Sequence, residues 1–212
     1  MGRRLSRRDA LRAGLAAGTA ALAGCTDGAF VDFEADFESP GRWETGAAIG
    51  PEVDLSAFDW RVERSQEQAY EGSWSLELFT GGDHDDGTAW AVWEIPVTDG
   101  LAYDVDFEVQ AWSESESFNT LRHLVARVAP DPPATEADFP DPGRNSSNVA
   151  DAPYGGLREP LHREAGWTEY GFDWRSPPLS ADSLYLAVGV SVVWEADATH
   201  YVDEVELDLS PV

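Results

Sequence analysis

The sequence predicts an all-β fold: a two-sheet antiparallel β-sandwich, with about nine strands behind an N-terminal signal peptide. Three observations carry this. Apolar and polar residues alternate through most segments after residue 30, which is the period of a half-buried strand. Turn-forming runs such as Gly81-Gly82-Asp83, Asp86-Gly87 and Asp99-Gly100 separate those segments. No stretch after residue 25 has the 3.6-residue apolar repeat of an amphipathic helix. Strands with one apolar face each must bury that face, and two packed sheets do so.

Taken in order, segment 30–38 sets Val31, Phe33, Ala35 and Phe37 on one face and four carboxylates on the other. A weaker candidate follows at 58–62. Segment 73–79 aligns Trp74, Leu76 and Leu78, and 88–97 aligns Ala89, Ala91, Trp93, Ile95 and Val97. Segment 102–112 points Tyr103, Val105, Phe107, Val109 and Ala111 inward, and 121–128 is a second weaker strand. Segments 168–174 and 184–194 repeat the alternation, and 201–209 places Tyr201, Asp203, Val205, Leu207 and Leu209 on its inward face. Between them, 130–166 reads as one long loop rich in Pro, Asp and Gly, a length that is usually either functional or disordered. It holds Asn145-Ser146-Ser147, a sequon that makes Asn145 a candidate glycosylation site in an exported protein.

Charge is extreme. The 212 residues carry 14 basic and 40 acidic side chains, a net of -26, and every basic residue is Arg. Five arginines fall in the first dozen residues with one acid, Asp9, so nine arginines face 39 acids from Cys25 onward, a net of -30. Such a chain repels itself in dilute buffer and is relieved when salt screens it, which suits a halophilic, folded domain. No basic stripe remains to neutralise phosphates, so nucleic acid is excluded as a partner. Ser6-Arg7-Arg8-Asp9-Ala10-Leu11-Arg12 resembles a twin-arginine export signal, with Arg7 and Arg8 as its pair. The apolar stretch 13–23 is too short to span a bilayer, and Leu22-Ala23-Gly24-Cys25 looks like a lipobox. The expected organisation is a signal peptide at 1–24, a lipidated tether at 25–29 with Cys25 acylated, and the sandwich at 30–209. Two acyl chains on Cys25 would anchor the domain in the lipid bilayer, on the outer face of the cytoplasmic membrane.

Sugar rings stack on exposed aromatic side chains flanked by hydrogen-bonding groups. Trp112 lies on the polar parity of its strand beside Gln110, which makes the two a candidate ligand site. Trp90 has outward parity on its own strand, and His123 and Arg127 take the polar parity of the next, so these three are further candidates. Tyr154 in the long loop could close over a ligand. Glu204, Glu206 and Asp208 share a face, but a solvated acidic surface accounts for them better than a glycosidase pair does. No zinc spacing, phosphate loop or nucleophile motif occurs, so a non-catalytic role is expected, and no enzyme.

Several segments together resemble carbohydrate-binding modules of the galactose-binding-like jelly-roll type. They are Phe37-Glu38 with Trp43, then Glu71-Gly72-Ser73-Trp74-Ser75-Leu76-Glu77-Leu78, then the 95–103 hairpin, then Gly166-Trp167-Thr168-Glu169-Tyr170, and last Tyr201-Val202-Asp203-Glu204-Val205-Glu206-Leu207. The resemblance spans most of residues 30–209. It implies a structural calcium held by Glu38 and Asp203, with Glu34 as the alternative first ligand, and a glycan or another envelope component as the partner. A structural or protein-interaction lipoprotein with no sugar ligand is the other reading, and a diverged glycoside-acting enzyme a third.

Overall fold

A computed structural model describes residues 30–114, 121–163, 165–193 and 196–212. Among these residues, eleven strands form two antiparallel sheets packed face to face. Sheet A has the order β3 (Trp60–Ser65), β4 (Ser75–Thr80), β11 (Ala198–Pro211), β6 (Tyr103–Ser113), β9 (Gly166–Arg175). The long β11 carries two neighbours on one edge: β4 on Ala198–Val202, and β1 (Val31–Ala35) on Val205–Leu209. Sheet B has the order β2 (Glu44–Ala48), β5 (Gly87–Pro96), β10 (Ser183–Val193), β7 (Leu121–Ala129), β8 (Gly155–Pro160). The core is where the inward parities of both sheets interdigitate, with Phe107, Val109 and Leu207 of sheet A among the residues meeting Ala91, Leu124 and Leu186 of sheet B.

Two strands were not expected. β2 has the sequence Glu-Thr-Gly-Ala-Ala, with neither aromatics nor alternation, because it must leave room for a neighbour. A Cβ at Gly46 would sit 2.5 Å from Cε2 of Trp90, so the indole lies flat against the bare backbone. β8, within the supposed 130–166 loop, is an edge strand with two glycines and a terminal proline, a composition that conceals it. The loop proper is 130–154.

One parity is corrected. The β11–β6 register slips between Asp203 and Glu206, and Glu204 takes φ 48° there. One extra residue in a bulge turns the following side chains over. Val205, Leu207 and Leu209 therefore face the core as expected, but Tyr201 and Asp203 point outward, and His200 and Val202 point in.

Candidate functional site

The outward face of sheet A carries a row of aromatic rings. Alternation sends Trp112 outward on β6, and the register lines up Glu77, Tyr201, Trp112 and Trp167 across β4, β11, β6 and β9. Trp112 meets Tyr201 edge to face at 5.4 Å, and Tyr70, from the turn before β4, meets Trp167 at 5.8 Å. Tyr201 is buried, Trp112 and Trp167 are half-buried, and Tyr70 is 42% exposed. Gln110 lies one step along β6, and its Nε2 donates to Glu169 Oε2 at 3.2 Å. Burial and the nearby carboxylates Glu77 and Glu67 push the Tyr201 hydroxyl above its usual range. Trp112 and Gln110 are thus together, but Trp167 and Tyr70 were not among the predicted contacts. Only cross-strand pairing and the fold of the 66–74 turn bring them to the row.

Trp90, His123 and Arg127 lie instead on the outward face of sheet B, so the five predicted contacts divide between opposite surfaces. This face is covered. Trp90 is 2% exposed, with Phe139 of the 130–154 loop edge-on to it at 5.4 Å. Arg127 donates to the Asp131 carbonyl and lies over the Tyr154 ring at 5.4 Å. His123 is buried, and its pKa falls to about 4 because burial, and then the neighbouring Arg158, His162 and Arg163, disfavour imidazolium. Tyr154 does lie over this face, as a partner of Arg127.

Glu38 and Asp203 grip the two ends of one turn. Glu38 Oε1 accepts from the amides of Ser73 and Trp74, both at 2.7 Å. Asp203 Oδ2 accepts from Tyr70 and Glu71, at 2.8 and 3.3 Å, and Oδ1 from Glu204. Gly72 between them has φ 65°, and a Cβ there would meet Glu38 Oε1 at 2.3 Å. Burial raises the Asp203 carboxyl to about 6; its three amide donors oppose the rise, and the Glu38 charge adds to it. Two mutually repelling carboxylates against one turn suit a hard cation with oxygen ligands. Glu34 lies elsewhere: its carboxylate gathers with Glu204 and Glu206, with ligand atoms within 4.8 Å of one another.

Asn145 is held inward, its Nδ2 donating to the Gly171 carbonyl at 3.0 Å and its Oδ1 accepting from the Ser147 amide. A glycan there must leave one N–H on that carbonyl. A cavity of about 250 Å³ lies inside the loop, between Arg144, Val149 and Tyr154. A wider groove of about 1000 Å³ runs beside β9 over Asp106, Asp173 and Asp208. Neither cavity includes the aromatic row or Trp90. Arg7, Arg8 and Cys25 lie outside the described residues.

No protein-family model and no curated protein matches the chain. Solved structures of similar shape include a family 61 carbohydrate-binding module in complex with β-1,4-galactotriose, 13% identical, with a TM-score of 0.43 over 78% of this chain and 86% of that one. A family 22 xylan-binding domain from Paenibacillus barcinonensis is 16% identical, with a TM-score of 0.46 over 86% of this chain and 96% of that one. The enzymatically active domain of a bacteriophage CBA120 tailspike is 14% identical, with a TM-score of 0.47 over 82% of this chain and 20% of that one. At such identities and TM-scores no site residue carries over.

Proposed function

We propose that this chain is a non-catalytic glycan-binding lipoprotein that holds a neutral sugar chain across Trp112, Trp167 and Tyr70. The observation that carries the reading is the aromatic row itself, with partly open rings side by side and an amide–carboxylate pair, Gln110 and Glu169, at its margin. Adjacent strands are about 4.8 Å apart, so the backbone positions of Trp112 and Trp167 are spaced on the scale of one pyranose. The surrounding carboxylates Glu77 and Glu169 disfavour an anionic ligand.

Anchoring fits this geometry. Arg7, Arg8 and the 22–25 lipobox assign export and acylation, and five tether residues reach at most about 17 Å. β1 enters sheet A at Val31, opposite Leu209, whereas the aromatic row meets β11 at Tyr201. Eight residues of strand separate the two, about 27 Å, so the row lies at the other end of β11 from the point where the tether joins. Calcium on Glu38 and Asp203 would hold the turn that delivers Tyr70, supported by the repulsion a cation would relieve.

The experiment is titration of the folded domain with β-1,4-linked galactan and xylan oligosaccharides in molar salt. Trp112→Ala should weaken binding about 30-fold, the loss of about 2 kcal/mol typical of a buried aromatic anchor. Unchanged affinity in Trp112→Ala and Trp167→Ala would remove the row as the site. No binding of any neutral glycan, with a stable protein partner in crosslinked envelopes, would favour the interaction-lipoprotein reading.

A further inference from the structure

The outward face of sheet B differs chemically from the rest of the molecule. Of the nine arginines after residue 24, five (Arg122, Arg127, Arg144, Arg158 and Arg163) lie on β7, β8 or the segments flanking β8. Arg122 has the inward parity of β7 beside Leu124 and Ala126, but Arg127 and Arg158 point outward, and with Arg144 and Arg163 on the segments flanking β8 they bring positive charge to one face, which complements an anion.

Arg158 is the centre of that face. It starts on the edge strand β8 and reaches across β7 to Ser191 on β10, its Nη2 2.9 Å from the Ser191 hydroxyl. The same Nη2 donates to Glu136 Oε1 at 2.7 Å, and Ser191 donates to that oxygen at 3.1 Å. Arg158 is only 6% exposed. Around it, Arg158 Nε, His123 Nδ1 and the Thr88 hydroxyl are buried with no hydrogen-bond partner among the described residues. The cradle therefore holds one carboxylate oxygen and still has polar groups to spare, each costly to bury unpaired.

The carboxylate comes from segment 131–139, which is not a strand. Asp138 accepts from the amides of Ala134 and Thr135, closing a 3-10 turn that sets Glu136 and Phe139 on the sheet. Beneath Phe139, which is 3% exposed, the Trp90 indole lies against Gly46. An indole face, a guanidinium, a hydroxyl and an imidazole are the groups that a sugar bearing a carboxylate would meet.

We propose that this face is a second ligand site, for a uronic-acid-containing oligosaccharide, which segment 131–139 fills with groups of its own. The uronate carboxylate takes the position of Glu136 on Arg158 and Ser191, and a sugar ring takes that of Phe139 on Trp90. The segment is a tethered competitor: apparent affinity is the intrinsic affinity scaled by the fraction of molecules in which the segment is lifted. Chemistry and place both separate this site from the neutral-glycan row on sheet A.

The test titrates the full domain with tetragalacturonate in molar KCl, with cellotetraose as the neutral control. Glu136→Gln and Phe139→Ala each weaken the tethered occupant and should tighten tetragalacturonate binding about tenfold or more. Adding Ser191→Ala to either should cancel most of the gain, while Trp112→Ala should leave it unchanged. A gain in either folded variant that Ser191→Ala cancels upholds the site. No gain in both variants, or an equal gain for cellotetraose, overturns it whatever the outcome at Trp112.

Discussion

His200 offers the sharpest test of the core. It sits on β11 between Leu78 of β4 and Ser113 of β6, inside the sandwich and fully buried. Neither ring nitrogen has a hydrogen-bond partner among the described residues. Burial first, and then the Arg122 guanidinium from the opposite sheet, lower its pKa from 6.5 to about 3. The folded state thus requires neutral imidazole, while the unfolded chain accepts a proton below about pH 6.5. Stability from this group is complete above that value and declines as pH falls toward about 3. At about 1.4 kcal/mol per pH unit, the loss is roughly 3 kcal/mol at pH 4.5 and approaches about 5 kcal/mol at pH 3. That is a large share of the roughly 5–15 kcal/mol a domain has in all. His200→Leu, of similar volume and without the nitrogens, should remove this loss and also raise stability at neutral pH. Urea unfolding of both proteins at pH 7.5 and pH 4.5, in molar salt, reads the difference. Wild type should lose about 3 kcal/mol more than the variant between the two pH values. Equal losses would refute the placement of an unpaired imidazole in the core.

Four further outcomes follow from the surface, the sheet and the anchor. On sheet A the register sets Asp32, Asp208, Asp106 and Asp173 side by side across four strands, and burial followed by the charges of Asp173 and Asp208 raises the Asp106 pKa. Lowering KCl from molar to about 0.1 M, where screening reaches about 10 Å, should therefore lower Tm, and Asp106→Asn should recover part of the drop. Gly46→Ala should destabilise by about 1–3 kcal/mol, since its Cβ would need to share space with the Trp90 indole, and thermal unfolding reads this directly. Arg158→Met leaves the part-exposed Glu136 carboxylate with the Ser191 hydroxyl but no guanidinium and should cost about 1–3 kcal/mol, read by the same melt. If the proposed export and acylation hold, Cys25→Ser should release the protein into the medium, whereas its retention in the membrane fraction would refute the proposed anchor.

Alternation made the long strands legible in the sequence. In β6, Tyr103 to Ala111 read inward and Asp104 to Gln110 outward, and both assignments match the structure because a full-length strand between two others has no freedom to slip. β2 and β8 were illegible for a shared reason: glycines there serve packing against Trp90 and the Ala126 carbonyl, and glycine carries no pattern. The outward turn of Tyr201 and Asp203 was also hidden, since a bulge of one residue leaves no compositional trace. The outward parity of both Trp112 and Trp90 was correct, yet one is half-open and the other covered. What covers Trp90 is Phe139, 49 positions later in a loop without periodicity, and no local pattern reports that contact.

The bulge has an energetic consequence that ties the two faces of β11 together. It places His200 inward and Asp203 outward only three residues apart, and their protonation acts on stability in opposite directions. Asp203 is raised from 3.8 to about 6, chiefly by burial, so the folded state prefers the neutral acid. Its unfavourable contribution is absent below about pH 3.8 and grows as pH rises toward about 6. His200 loses stability over the same interval as pH falls. The wild-type profile should therefore be shallow between about pH 4 and 6, with each group hiding the other. Single variants expose them: His200→Leu should leave a protein that grows more stable on acidification, and Asp203→Asn one that grows less stable. Calcium adds a discriminating arm, because a carboxylate that holds a cation stays ionised and loses its raised pKa. If the ion binds Glu38 and Asp203, adding it to chelator-treated wild type should unmask the His200 slope, and Glu38→Gln should abolish that effect. Identical profiles with and without calcium would leave the turn held by its four amide bonds to Glu38 and Asp203.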